Sequence, residues 1–186
     1  MQIFPWTISA AEPDRRPVLE LYVALIKPLS RGTLQIKSKD PADPPRIAPG
    51  YLVDPADTAR LIHGVRVARC LAGTKPFSEL ALQELFSTID VAVESAAELE
   101  AFVHETARRY FHPVAPAAWG RPSMKEPLSM RARVHGVEGL FVADASIMPT
   151  IPAANTNLPT RMLAERRAAW LGERDRAASP LARGSE

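Results

Sequence analysis

The sequence predicts an α+β fold, and three observations carry that expectation. Residues 18–27 (VLELYVALIK) are rich in β-branched and aromatic side chains, and residues 33–38 (TLQIKS) alternate Leu34 and Ile36 with polar neighbours, as half-buried strands do. Helical periodicity then takes over, with Leu61, Val65, Ala68 and Leu71 on one face, followed by a capping box of Ser95 and Glu98. Long proline-rich loops separate these elements; the chain holds 18 prolines, roughly twice average usage.

In chain order, residues 28–32 supply a turn, so the first two strands are expected to form a hairpin or to lie side by side. Pro41, Pro44, Pro45, Pro49 and Pro55 exclude a helix or a central strand from residues 40–55, because each lacks an N–H and restricts the residue before it. Asp54 is placed as an N-cap with Pro55 at the first helical position, Asp57 in the first turn and Gly73 at the end, giving a helix over about 55–72. Residues 77–86 are weakly helical. A second helix over about 96–108 carries Leu99, Phe102 and Val103 on its apolar positions. Residues 111–130 form a loop, 140–143 (LFVA) a short strand, and a third helix opens at residues 155–158 with Pro159 near its start. The polar, aperiodic residues after Gly172 are expected to be a disordered tail.

Composition excludes several classes of function. The 186 residues suit one ordinary domain, and 23 Lys and Arg against 21 Asp and Glu leave a net charge of +2, too little for a basic field that would hold nucleic acid. No apolar run approaches the roughly 18 residues needed to cross a bilayer. Residues 1–12 place no Lys or Arg ahead of an apolar block and are interrupted by Pro5, so no secretory leader is expected. The lone Cys70 suits a reducing cytoplasm and reads as a buried small hydrophobe. His63, and His104 with His112 eight residues on, match no common zinc spacing. No two of the nine glycines are spaced G-x-G, which removes the dinucleotide fingerprint and the P-loop. Ser146, His112 and Asp144 could be assembled into a Ser-His-Asp set, but no G-x-S-x-G elbow accompanies them.

What remains is a constellation of three blocks: Tyr110-Phe111-His112-Pro113-Val114, Val142-Ala143-Asp144-Ala145-Ser146, and the run from Pro152 through Asn155-Thr156-Asn157-Leu158 to Thr160. It sets a histidine on a proline-stiffened loop, an aspartate at a strand end, and an Asn-rich turn at a helix N-terminus, where unpaired N–H groups suit developing negative charge. On the residues alone, simple caps and a loop histidine are the preferred account.

These blocks resemble the C-terminal region of the glucose-methanol-choline (GMC) oxidoreductases, from about Leu25 to about Leu171, most specifically in HGVEGLFVADASIMPTIPAANTNLPTRMLAE at residues 135–165. The resemblance implies FAD as cofactor and hydride transfer from a CH–OH group to the flavin. It implies His112 as the general base and Asn155 as its partner at the substrate oxygen. Histidine suits the task because its unperturbed pKa lies near neutrality. Asp144 and Ala145 fall where the family passes the ribityl and pyrophosphate part of FAD, and Thr156 and Asn157 fall against the pyrimidine edge of the ring. The resemblance supports the α+β expectation more strongly than the elements do. It implies a substrate-domain portion over 1–134 with an antiparallel sheet and flanking helices. A terminal strand and helix of an FAD-binding domain would follow over 135–172, and a tail over 173–186.

Two departures stand out. After His-Pro-Val the chain reads Ala115-Pro116-Ala117-Ala118-Trp119-Gly120 where the family has Gly-Thr, and Pro127-Leu128-Ser129 replaces Val-Val-Asp. The Gly-rich FAD fingerprint, which precedes this region in the family, is also absent. The expected partners are therefore a small alcohol and a separate nucleotide-binding polypeptide. A non-catalytic remnant or interaction module, with the face that would meet the nucleotide-binding half left apolar and exposed, is the alternative. A module that holds a small ligand without chemistry is a third.

Overall fold

The computed structural model describes residues 1–8, 18–80, 95–114 and 132–178. It shows an α+β chain of small antiparallel sheets and helices, in two units, Met1–Arg109 and Tyr110–Glu186.

In the first unit, strand β1 (Gln2–Ile8) pairs antiparallel with β2 (Val18–Ala24), in a register running from Gln2 opposite Ala24 to Ile8 opposite Val18. This corrects the expected pairing of the 18–27 segment with the 33–38 segment. No strand is expected from sequence over residues 1–12; Pro5 is accommodated in β1 because a two-stranded ribbon consists only of edges, where a missing N–H need not interrupt a ladder. The Phe4 and Tyr22 rings, directly opposite one another, stack at 5.4 Å and 14° and help fix the register.

Strands β3 (Thr33–Gln35) and β4 (Arg46–Ala48) form a second antiparallel sheet. β4 lies inside the proline-rich segment, between Pro45 and Pro49, as an edge strand. Leu34 stands opposite Ile47, so those two share a face with Ile36, two residues on, while Thr33, Gln35, Arg46 and Ala48 take the other. The apolar face is uncovered: Leu34, Ile36 and Ile47 are 49%, 84% and 64% exposed.

The ends of this sheet meet backbone to backbone. A Cβ on Gly32 would strike the carbonyls of Ala48 and Pro49, and Gly50, at φ 63°, would drive one into the carbonyl of Arg31. Gly50→Ala is therefore expected to destabilise the protein by more than about 1 kcal/mol, because it adds a left-handed penalty to a backbone clash. A midpoint in urea unchanged from the wild type would contradict this.

Helix α1 (Pro55–Ala72) begins and ends where its caps predict. The Asp54 carboxylate accepts the Ala56 N–H at 2.9 Å, Pro55 occupies the first turn, and the Gly73 N–H donates to the Arg69 carbonyl at 3.0 Å. The helix packs on β2 and on α3 (Ala96–Thr106). Ser95 and Glu98 make the predicted capping box, and the i, i+4 pair Leu99 and Val103 is buried. The weakly helical 77–86 segment is represented by a single turn, α2 (Lys75–Ser78); residues 81–86 lie outside the described residues. Cys70 is exposed rather than buried, since it lies off the face that α1 turns inward.

Asp57, read from sequence as a first-turn acid, is 1% exposed. Its two carboxylate oxygens accept the Leu29 N–H at 3.0 and 2.9 Å, and one also accepts the Ser30 N–H at 2.8 Å. Arg60 stands 3.5 Å from the same carboxylate and donates to the Lys27 carbonyl at 2.8 Å, while the Ser30 hydroxyl accepts the Asp54 N–H at 3.1 Å. The turn before β3 is thereby stapled to the start of α1.

In the second unit, the expected 140–143 strand makes one antiparallel bridge, Arg133 to Phe141, flanked by hydrogen bonds between Val134 and Leu140 and between Val142 and Ala132. Ala132 and Ile147 are buried against Val134, Val142 and Leu163. Helix α4 (Asn157–Ala178) lays the buried Arg167 over the Phe141 ring at 4.0 Å. It continues six residues beyond Gly172, which corrects the tail expected over 173–178. Glu and Arg are good helix formers, and loss of apolar periodicity does not stop a helix already begun. Residues 179–186 lie outside the described residues. Among the described residues no helix is long and apolar enough to cross a membrane.

Candidate functional site

His112 is held by its neighbours before any side-chain contact is considered. Phe111, just before it, has φ 61°, a left-handed conformation that costs a bulky residue on the order of 1–3 kcal/mol. Pro113, just after it, restricts His112 to extended backbone. Tyr110 meets the imidazole edge-on, with ring centroids 4.9 Å apart at 78°. The half-buried His112 then places Nδ1 3.0 Å from Oγ1 of Thr156, 44 residues further along the chain.

Thr156 is the residue immediately before α4 and is 6% exposed. Its carbonyl accepts from the Thr160 amide at 2.9 Å and from the Thr160 hydroxyl at 2.6 Å, so the first turn of α4 is closed around it. Asn155 and Asn157, on either side, are exposed. The first turn of α4 holds no acidic residue, and its third position is Pro159. The partial positive charge of this 22-residue helix is thus carried at the N–H groups of Asn157 and Leu158, two exposed residues.

Asp144 and Ala145 sit at the other block. One Asp144 oxygen accepts the Ser146 N–H at 2.8 Å and also takes a very short hydrogen bond from the Ser146 hydroxyl, capping a 3-10 turn at Ala145–Ile147. The sequence-derived Ser-His-Asp grouping is not built: Ser146 is committed to Asp144, and His112 to Thr156. His63 and His104 are exposed, and no cluster of three or more metal-binding side chains occurs among the described residues. The substitutions at Ala115, Pro116 and 127–129 fall outside the described residues.

Residues 28–164 match the GMC oxidoreductase family. The chain belongs to that family.

It is 33% identical over 166 residues to an oxygen-dependent choline dehydrogenase of Paraburkholderia phymatum, covering 89% of this chain and 28% of that protein. It is 35% identical over 148 residues to an alcohol dehydrogenase [acceptor] of Pseudomonas putida, covering 78% of this chain and 26% of the other. Among solved structures, a formate oxidase from Aspergillus oryzae superimposes with a TM-score of 0.76 at 25% identity, over 89% of this chain and 29% of that one. The chain therefore spans less than a third of the length of these GMC relatives. FAD is the cofactor of the family.

Two things escaped the sequence. The resemblance sets Thr156 at the pyrimidine edge of the flavin, but its hydroxyl is what meets His112; the available hint is a threonine between two asparagines, three residues ahead of a proline with no N–H to donate to it. Asp57 left no signal beyond its first-turn position.

Proposed function

We propose that this chain supplies the substrate-side wall and the proton-accepting histidine of an FAD-dependent oxidoreductase that acts on a CH–OH donor. The observation that carries the reading is the hydrogen bond joining His112 to Thr156, which ties the histidine loop to the N-terminus of α4 across 44 residues of sequence. Relatives named as choline and alcohol dehydrogenases support an alcohol as the substrate class.

The residues present fit a flavin. A reduced flavin ring carries negative charge near N1 and the C2 carbonyl, and α4 offers an acid-free first turn that begins on two exposed residues for such an edge. Thr156 and Asn157 would line that edge, while Asp144 and Ala145 would lie along the ribityl and pyrophosphate chain. When bound, FAD supplies the acceptor for the hydride. His112 takes the hydroxyl proton of the alcohol at Nε2, on the side of the ring away from Thr156, and the Asn155 amide donates a hydrogen bond to the substrate oxygen as it gains alkoxide character. In this proposal residues 1–134 form the substrate-domain portion, and residues 135–172 contribute the terminal strand and helix of the FAD-binding domain. A nucleotide-binding polypeptide completes the site. The cytoplasm is the proposed compartment, because its reducing conditions suit the exposed Cys70.

The uncovered Leu34, Ile36 and Ile47 face supports a packing surface for further structure. It also favours the second reading, an interaction module without turnover. One experiment separates them: the chain is purified alone and together with the nucleotide-binding portion of an FAD-containing relative. Retained flavin absorbance and alcohol-dependent dye reduction in the joint preparation are expected. Absence of both from both preparations would leave a module without turnover. Ile36→Ser is expected to lower binding of a hydrophobic fluorescent dye to the isolated chain.

A further inference from the structure

We infer that the Thr156 hydroxyl is the positioning residue for His112, anchoring the ring at Nδ1 so that Nε2 is the nitrogen left to face a substrate. The inference rests on the role proposed for His112 and adds what makes that histidine usable. A threonine ahead of a helix ordinarily spends its hydroxyl on the N–H of the second or third helical residue. Here the third residue is Pro159, which has no N–H, and the hydroxyl lies 3.0 Å from His112 instead. Thr156 cannot drift, because it is 6% exposed and its carbonyl is held by both the amide and the hydroxyl of Thr160.

The chemistry of a hydroxyl matters at this place. For Nε2 to accept a proton, the neutral ring must carry its own proton on Nδ1, and Thr156 Oγ1 then accepts from it. After Nε2 takes the substrate proton, Nδ1–H still donates to the same oxygen. The anchor therefore serves both protonation states without a change of partner, and it does so without adding a negative charge beside the ring. The strained Phe111 and the edge-on Tyr110 bring the imidazole to this partner; Thr156 fixes which nitrogen is spent on it.

The test begins on the unmodified full chain, by nitrogen-15 NMR of the imidazoles. His112 is expected to show distinct, unaveraged ring nitrogens with Nδ1 hydrogen-bonded, whereas the exposed His63 and His104 show the averaged pattern of free imidazoles. Thr156→Val should collapse the His112 pattern toward that average, and Thr156→Ser should restore it, with the other histidines unmoved. In the assembled enzyme Thr156→Val is expected to lower kcat/KM by about 10–100-fold through misplacement of the ring, with recovery in Thr156→Ser. An averaged His112 signal in the unmodified chain, or one that Thr156→Val leaves unchanged, would overturn the inference. If His112→Ala retains full turnover, the general-base reading falls instead, and the NMR comparison still decides the anchor.

Discussion

Asp57→Ala is expected to destabilise the protein by roughly 1–3 kcal/mol, read as a lower urea midpoint, because it strips one buried acceptor from two part-buried backbone donors at once. The N–H groups of Leu29 and Ser30 donate to a carboxylate that is itself 1% exposed, so the turn and the start of α1 share one buried acceptor. Asp57→Asn should recover part of this, since one amide oxygen can accept both N–H groups while the charge facing Arg60 is lost. A loss below about 0.5 kcal/mol for the alanine variant, the range of ordinary surface changes, would show that the turn before β3 does not depend on this staple.

The same carboxylate gives stability a defined pH dependence. Burial pushes its pKa up. The backbone donors of Leu29 and Ser30, the Ser30 hydroxyl and the Arg60 charge outweigh that, so the folded value lies below the ordinary 3.8. As pH falls, the unfolded chain takes up the Asp57 proton first, and the stabilisation is lost as pH drops from the ordinary value through the folded one; above the ordinary value it is fully present. The stability gap between wild type and Asp57→Asn should therefore be constant near neutrality and narrow in acid below about pH 4. A gap that instead widens in acid would contradict the assignment.

Elements with local punctuation were legible in the sequence. α1 is written in Asp54, Pro55 and Gly73, and α3 in Ser95 and Glu98, because caps act within four residues. Strand partners were not, since alternation says which face a side chain takes and nothing about which strand lies alongside. The β2 segment was recognisable, yet its mate was the Pro5-containing β1 rather than the nearer β3. α4 outran its apolar pattern for a related reason: propensity carried it where packing gave no cue. At the candidate site, each block could be placed on a loop, a turn or a helix start. That His112 and Thr156 meet is a tertiary fact that no local spacing encodes, and the catalytic expectations for His112 and Asn155 came from resemblance to the GMC family.

His112→Ala, in the assembled flavin-containing enzyme, is expected to lower kcat/KM for an alcohol by about 10²–10⁴-fold, the usual worth of a positioned general base. Flavin content and thermal midpoint should stay near wild type, because the half-buried imidazole contributes one hydrogen bond at a loop whose shape is already set by Phe111 and Pro113. Two further readouts distinguish proton removal from packing. The residual rate of the variant should climb with pH as solvent hydroxide takes over removal of the substrate proton, and added imidazole should restore part of it. His112→Asn, which keeps a polar group in the space, should show the same pH climb without the recovery a packing role would predict. Asn155→Ala should behave differently, losing rate with little change in the shape of the pH profile, because an amide that steadies a developing alkoxide gives up no proton of its own. A His112→Ala enzyme within tenfold of wild type at neutral pH would remove the histidine from the chemistry and leave the α4 N-terminus to act by electrostatics alone.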